Sequence, residues 1–117
     1  LTFPGGVIVL VNGGTSGGAE LIAAQLRDFS KAQIVGTTTY GKGVMQNTHK
    51  LTGGAAIKIT VATLQTKNSG NYNGVGIKPN FEVALPSEVE LALLTEEEQL
   101  VSDTQLIKAI EVVSTIQ

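Results

Sequence analysis

The chain has 117 residues, a net charge of −2 and a pI near 5.3, with 42% hydrophobic and 15% charged residues. This composition suits one globular domain and excludes a disordered chain. The eight basic residues are scattered, and the acidic balance argues against nucleic-acid binding. The absence of cysteine excludes disulfides, thiolate metal sites and cysteine catalysis. No apolar run approaches the roughly 18 residues needed to span a bilayer.

The first third of the chain predicts a strand–helix–strand unit. Residues 7–11 form an apolar, β-branched run typical of a strand buried on both faces. After an Asn-Gly-Gly turn, Thr15 or Ser16 is predicted to cap a helix with Glu20 in its early turns, where a carboxylate is favourable. Residues 32–36 predict a second strand. In such a unit, functional sites gather at the carboxyl ends of the strands. The predicted apolar stripe of the helix consists of Leu21, Ile22, Gln25, Leu26 and Phe29.

The rest of the chain predicts strands followed by helices. A Gly-Gly pair at 53–54 predicts the turn of a hairpin. The acidic stretch after Pro86 predicts a helix, and a last helix is predicted to begin at Ser102 or Asp103. The fold class is therefore α/β with mixed order, a strand-rich second half and C-terminal helices. The predicted strands of this part are residues 45–51, 55–64 and 75–77, and the apolar face of the last helix is Leu106, Ile107, Ile110 and Val113.

Lys42 is the most informative residue for function. It is a lone cation in the uncharged segment 36–46 and has Gly41 and Gly43 as neighbours. A lysine that acts as a general base must be uncharged near neutral pH, and uncharged surroundings favour that form. Gln46, four residues later, can orient the amine without holding it charged, as a carboxylate would. The competing interpretation is a lysine in a surface turn.

Two other kinds of site are disfavoured. Residues 36–42 nearly match a phosphate-binding loop, but that motif needs Ser or Thr after the lysine and then a helix. Gly43 follows instead, and the next residues look extended, so only a helix starting at Gly43 would revive nucleotide binding. His49 has no obvious acidic partner, which argues against a histidine-based triad. The Asp and Glu residues have no metal-ligand spacing.

Four blocks of the sequence together resemble the C-terminal processing (tail-specific) peptidases, a serine protease family with a Ser-Lys dyad. The last block departs from the family's Gly-Val-Gly-Ile-x-Pro-Asp signature in having Asn80 where Asp is usual. The resemblance implies a ClpP/crotonase-like spiral ββα core. Residues 1–117 would be the C-terminal portion of the catalytic domain, without the PDZ domain and the upstream catalytic segment. The start of the chain has no initiator Met and no charged segment, which also favours an excised piece. The matching blocks are residues 9–23, 34–46, 56–63 and 74–83.

The resemblance also implies roles for individual residues. Lys42 becomes the general base, Gln46 orients it, and the N–H of Gly18 becomes the oxyanion donor. The family's nucleophilic serine falls on position 17, which is Gly17 here. Ser16 is the nearest hydroxyl, but a helical rotation of about 100° per residue would turn it away from the site. Three explanations stay open: a natural pseudo-protease, an engineered glycine in place of a serine, or a local shift that lets Ser16 act.

The resemblance implies a serine-type endopeptidase that acts near the C-termini of protein or peptide substrates, without a metal or cofactor. The family usually works in the cell envelope, in a periplasmic or other extracytoplasmic location, and a homo-oligomer is left open. The alternative function is a non-catalytic pseudo-protease that binds polypeptide tails or serves as a scaffold. Position 17 of the parent gene discriminates them, because serine supports the enzyme and glycine supports the binder.

Overall fold

The computed structural model describes residues 5–68, 70–94 and 103–116. Within them, three small sheets hold the strands: a parallel sheet in the order β1-β2-β7, an antiparallel β3–β4 hairpin and a short antiparallel β5–β6 pair. The mixed α/β class predicted from the sequence is confirmed. The elements are β1 (Ile8–Val11), α1 (Gly18–Ser30), β2 (Gln33–Gly36), β3 (Val44–Lys50), β4 (Ala56–Thr63), β5 (Gln65–Thr66), β6 (Gly70–Asn71), β7 (Phe81–Glu82), α2 (Ser87–Leu94) and α3 (Thr104–Thr115).

The predicted strand–helix–strand unit is confirmed as β1, α1 and β2. The two strands pair in parallel, with Val9 opposite Ile34 and Val11 opposite Gly36. Strand β7 adds to the other side of β2, also in parallel. The carboxyl ends of β1 and β2 therefore lie side by side. The turn into α1 leaves from one of them and the segment that carries Lys42 leaves from the other.

The core lies where α1 packs against the parallel sheet. Ala23 and Ala24 on α1 are buried, and their small size brings the helix close to the buried Ile34 of β2. The predicted stripe of α1 is wrong in part, because Ile22 and Phe29 point outward and are 62% and 66% exposed. The expectation that β1 is buried on both faces is also wrong, since Leu10 is 45% exposed.

Helix α3 begins where the sequence predicts but turns a different face inward. Asp103 caps it by accepting a backbone N–H of the first turn at 2.8 Å, while Ser102 lies outside the described residues. The predicted apolar face is wrong in part, because Ile107 and Ile110 are exposed while Leu106 and Val113 are half-buried. The side-chain amide of Gln105 donates to the carbonyl of Val83 at 2.8 Å, a bond that requires Gln105 to face inward. The buried residues of α3 are Gln105, Ala109 and Val112.

The second half of the chain confirms the hairpin and corrects one strand. Gly53 and Gly54 form the turn between β3 and β4 with positive φ, as their sequence predicts. The predicted strand at 75–77 is wrong, since the N–H groups of Val75 and Gly76 both donate to the carbonyl of Tyr72 and close a turn. Helix α2 follows Pro86 as predicted. None of the described helices has the length and apolar character needed to cross a membrane.

Candidate active site

The turn between β1 and α1 is closed by Thr15. Its hydroxyl accepts the N–H of Asn12 at 3.0 Å, and its own N–H donates to the carbonyl of Asn12 at 2.9 Å. The predicted caps Thr15 and Ser16 are therefore wrong, and the helix is capped by Gly17, with φ 61° and ψ −118°. This backbone conformation favours glycine, because a side chain there is strained. The turn thus holds position 17, directly before the first helical residue Gly18, in a conformation that is strained for any residue with a side chain.

All five residues that the sequence singled out line one cavity of about 420 Å³. A Cβ built on Gly17 or on Gly18 meets nothing within 4 Å, so a serine side chain has room at position 17. Gly18 opens the helix, where the first N–H groups have no partner within the helix and are suited to an anion. The five residues are Ser16, Gly17, Gly18, Lys42 and Gln46.

Glu20 joins the two segments of the site, and the sequence reasoning missed this role. Its carboxylate is completely buried. One oxygen accepts the N–H groups of Gly17 at 2.9 Å and Lys42 at 2.7 Å. The other accepts the N–H of Gly41 at 2.7 Å and the hydroxyl of Thr39 at 2.5 Å. The position of a glutamate three residues after a helix cap indicates the bond to Gly17, but nothing in the sequence pattern indicates the other three.

The charge of Glu20 is stabilised by these donors. Burial by itself raises the pKa of the carboxyl, but the hydrogen bonds from Thr39 and from the three backbone N–H groups outweigh it and hold the pKa below its ordinary value of 4.5. Burial and the charge of Glu20 together raise the pKa of the buried Tyr72 phenol, which therefore stays neutral. Glu20 is a permanent carboxylate at neutral pH and serves to position the backbone.

The turn at residues 72–77 braces the lysine segment from behind. Thr39, besides donating to Glu20, accepts the N–H of Ile77 at 2.7 Å, and the N–H of Gly74 donates to the carbonyl of Gly41 at 2.8 Å. Gly76 must be glycine here, because a Cβ would lie 2.2 Å from the carbonyl oxygen of Thr39 and φ is 79°. The Gly-Val-Gly-Ile block thus supports the segment that carries Lys42.

Asn80, the departure from the family signature, does not disturb this arrangement. Its side-chain oxygen accepts the N–H of Ile34 at 2.8 Å, and its own N–H donates to the carbonyl of Ile34 at 2.8 Å. An aspartate has an oxygen in the same place, so either residue can make the side-chain bond. The substitution therefore maintains the contact between β2 and the segment that leads into β7.

Lys42 and Gln46 border the cavity but differ in how they are held. Lys42 is exposed and has no ion pair with any carboxylate in the described part of the chain. The side-chain nitrogen of Gln46 donates to the hydroxyl of Thr60 at 3.3 Å, which leaves its oxygen to accept from an amine. The residues after Lys42 form strand β3, so the helix required for a phosphate-binding loop is absent there and that alternative is excluded.

In the part of the chain that the structure describes, histidine and acidic residues form no metal site. His49 lies on β3 opposite Ile57 and is exposed, as expected for a strand residue. Within residues 5–68, 70–94 and 103–116, no group of three His, Asp or Glu side chains is arranged to hold a metal ion.

Gly17→Ala is expected to lower the free energy of unfolding by about 1–2 kcal/mol, although the new methyl group has room. The cost comes from the positive φ alone, because the added Cβ meets no neighbour. Urea unfolding followed by circular dichroism measures it. Gly18→Ala is the matched control, since that position also has room but lies in the helix without a positive φ. If both substitutions lower the free energy of unfolding equally, the positive φ assigned to position 17 is contradicted.

The parallel unit, the open helix start and the lysine segment lie in the same order along the chain as the sequence blocks that resemble the C-terminal processing peptidases. The sequence comparison agrees: the chain belongs to peptidase family S41, whose family model matches residues 1–83. This finding confirms the family that the four sequence blocks indicate.

The similar proteins described next are all named as C-terminal processing proteases or peptidases. The chain is 38% identical to the carboxy-terminal processing protease CtpA of Bacillus subtilis, over 74% of this chain and 19% of that protein. It is 40% identical to carboxyl-terminal-processing peptidase 1, chloroplastic, of Arabidopsis thaliana, over 64% and 15%. Among solved structures, it resembles a photosystem II D1 C-terminal processing protease with a TM-score of 0.62 and 34% identity, over 73% of this chain and 23% of that one. The chain spans less than a quarter of the length of these relatives.

Proposed function

We propose that the chain is the C-terminal portion of the catalytic domain of a serine endopeptidase that acts on the C-terminal regions of protein substrates. In this proposal position 17 holds the nucleophile, Lys42 is the general base, Gln46 orients Lys42, and the N–H of Gly18 receives the oxyanion. The observation that carries the proposal is the carboxylate of Glu20, because one of its oxygens binds the N–H groups of both Gly17 and Lys42. A structural carboxylate that joins these two positions is what a dyad needs to keep its geometry.

The chemistry follows from this arrangement when position 17 is serine. The uncharged amine of Lys42 takes the hydroxyl proton as the oxygen attacks the scissile carbonyl carbon. The N–H of Gly18 donates to the oxyanion of the tetrahedral intermediate. The ammonium then returns the proton to the leaving amine, and an acyl-enzyme remains on the serine. Water hydrolyses the acyl-enzyme with the same base, which restores the dyad.

The amine of Lys42 needs less water around it than the described chain provides. Lys42 is exposed here, whereas catalytic groups act in sites that exclude water. The relatives contain several times the length of this chain. We infer that the rest of the protein and the bound polypeptide cover Lys42 and remove water from it.

Gly17 supplies no oxygen, so the chain as it stands is expected to bind polypeptide without cutting it. This favours the second candidate function, a pseudo-protease that binds polypeptide or serves as a scaffold. Ser16 remains the fallback nucleophile, because it lines the same cavity. The rotation that would turn it away assumes a helical turn, whereas Gly17 is not helical.

We also propose that the protein works outside the cytoplasm, in the cell envelope of a bacterium or an equivalent compartment. The support is the family alone, one of whose relatives is named as chloroplastic. The proposed chemistry uses a serine and a lysine and requires no metal or cofactor.

The test is to introduce Gly17→Ser into the full-length protein and to measure cleavage of an unfolded protein such as reduced casein. We expect the variant to cleave at least about 10³-fold faster than the Gly17 protein, because only the variant can form an acyl-enzyme. Ser16→Ala is made in both backgrounds as the control and should change neither rate. If the proteins with glycine and with serine at position 17 cleave equally and Ser16→Ala abolishes cleavage in both, Ser16 is the nucleophile. Binding without cleavage by any variant would favour the pseudo-protease.

A further inference from the structure

The cavity beside position 17 contains a second cation that the proposed chemistry does not use. Lys58, on strand β4, lines the cavity together with Lys42. Of the described residues that line it, none is acidic. Neither ammonium has an ion pair with a carboxylate in the described ranges. The two ammonium groups outnumber the one carboxylate behind the lining, that of Glu20, which is already occupied by the N–H groups of Gly17 and Lys42. The cavity therefore keeps a net positive charge and attracts a negatively charged group.

The strand register places Lys58 on the same side of the hairpin as Gln46. Gln46 lies opposite Thr60 and bonds to its side chain. Lys58 comes two residues before Thr60 on β4, so both point to the same face, with Lys58 about 7 Å farther along the strand. Lys58 therefore lies farther along the hairpin than Gln46. The separation between Lys58 and Thr60, the partner of Gln46, is about the length of two extended peptide residues.

The remaining lining of the cavity is largely apolar. It consists of Leu21, Val44, Met45 and Leu64, which come from α1, from β3 and from the residue that follows β4. A cavity with an apolar wall and an unpaired cation at one side matches a polypeptide end, which combines apolar side chains with one negative charge.

We propose that Lys58 binds the terminal carboxylate of the polypeptide, while the last side chains of that polypeptide pack on the apolar wall. The proposal rests on the proposed function and specifies its substrate: a chain that ends inside this cavity, within a few residues of the bond to be cut. It gives Lys58 a binding role that is separate from the base role of Lys42. A polypeptide whose end is blocked by an amide loses the charge that Lys58 recognises.

The test measures peptide binding to the full-length protein with Gly17 in place, where no cleavage consumes the ligand. The probe is a fluorescein-labelled peptide ending in Leu-Ala-Ala, prepared as the free acid and as the amide. We expect the free acid to bind about five-fold more tightly, the size of one solvent-accessible ion pair. Lys58→Gln should reduce the ratio of the two dissociation constants toward one. Lys50→Gln is the matched control, because Lys50 lies on the same hairpin but does not line the cavity, and it should leave the ratio unchanged.

Several outcomes would overturn the proposal. An unchanged ratio in Lys58→Gln, or an equal loss in Lys50→Gln, would mean that Lys58 is not the recognising group. A third peptide, an amide whose last residue is aspartate, should bind as weakly as the first amide; tight binding of it would show that a side-chain carboxylate suffices. If no peptide binds and Gly17→Ser does not cleave, the proposed function fails as well. If Gly17→Ser cleaves acid and amide peptides with the same KM, only the role of Lys58 fails.

In the Gly17→Ser background, a binding role for Lys58 has a kinetic signature. Lys58→Gln should raise KM for the free-acid peptide about five-fold and leave kcat unchanged, because the carboxylate lies away from the reacting bond. A fall in kcat at constant KM would place Lys58 in the chemical step and would contradict the proposal.

Discussion

Glu20→Gln is expected to lower the free energy of unfolding by about 3–5 kcal/mol, a large effect for a change of one atom. The carboxylate accepts four hydrogen bonds, two on each oxygen; those from Thr39 and Gly41 are buried, and those from Gly17 and Lys42 are partly buried. A glutamine has one oxygen and one NH₂ group, so in either orientation the NH₂ faces at least one backbone N–H that it cannot accept. If the NH₂ group takes the place of the oxygen that accepts from Gly17 and Lys42, both hydrogen bonds that link the two segments of the site are lost.

The free energy of unfolding that Glu20→Gln loses should depend on pH, and the direction of this dependence follows from the pKa of Glu20. The folded pKa of Glu20 lies below the ordinary value of 4.5. The stability that Glu20 contributes is therefore fully present above that ordinary value and is lost as the pH falls below it, toward the folded pKa. Glutamine does not ionise, so the difference between the two proteins should be largest near pH 7 and should narrow as the pH falls below 4.5.

Urea unfolding at several pH values tests both expectations. Circular dichroism is the suitable signal because the chain has no tryptophan. Glu111→Gln is the control: Glu111 is exposed and, among the described residues, forms an ion pair with Lys108 alone, at 3.0 Å on the surface of α3. Its replacement should cost no more than about 0.5 kcal/mol. A loss below 1 kcal/mol in Glu20→Gln, or a loss that grows as the pH falls, would contradict the role assigned to Glu20.

The parts of the fold that the sequence predicted are those encoded by local patterns. The apolar run of β1, the hairpin turn at Gly53-Gly54 and the cap at Asp103 depend on neighbours within a few residues, and each was found where expected. Chain order also predicted the parallel pairing of β1 and β2, because a strand that returns through a helix lies beside the first in parallel.

The errors have tertiary causes. The apolar residues of 75–77 suggested a strand, but the glycines at 74 and 76 take positive φ and form a turn against the lysine segment. The inward face of α3 includes Gln105, whose amide donates to the carbonyl of Val83, the residue after β7. Hydrophobic periodicity carries no information about such a bond, so it did not predict that Gln105 faces inward while Ile107 and Ile110 are exposed.

The candidate site shows the same division. Lys42 and Gln46 stand out in the sequence, because an isolated charge with a neutral polar residue four positions later is visible without a structure. Position 17 was assigned through the family resemblance. Glu20 has three of its four bonds to residues about twenty positions away, so its pattern looks like that of an ordinary glutamate in the first turn of a helix. The residue that joins the two segments of the site was therefore one that sequence reasoning placed only in the early turns of a helix.

Lys42→Met in the Gly17→Ser background is expected to lower kcat/KM by at least about 10³-fold, because methionine keeps the length of the side chain but cannot accept the proton of the serine. Loss of activity alone does not separate a base from a positive charge that attracts substrate. Lys42→Arg separates them, since arginine keeps the charge but is not deprotonated in proteins. A base role predicts that arginine is as inactive as methionine. Substantial activity in Lys42→Arg would assign Lys42 to charge stabilisation and would require another base.

The control for this experiment is Lys50→Met, which removes an exposed charge from the far end of β3, outside the cavity. It should retain the activity of Gly17→Ser. Peptide binding by the methionine variant should also persist, because the apolar wall and Lys58 remain in place. A protein that binds the free-acid peptide but cannot cut it would show that recognition and proton transfer belong to different lysines of the same cavity. Loss of binding in Lys42→Met would instead mean that Lys42 itself holds the carboxylate, and the roles assigned to the two lysines would have to be exchanged.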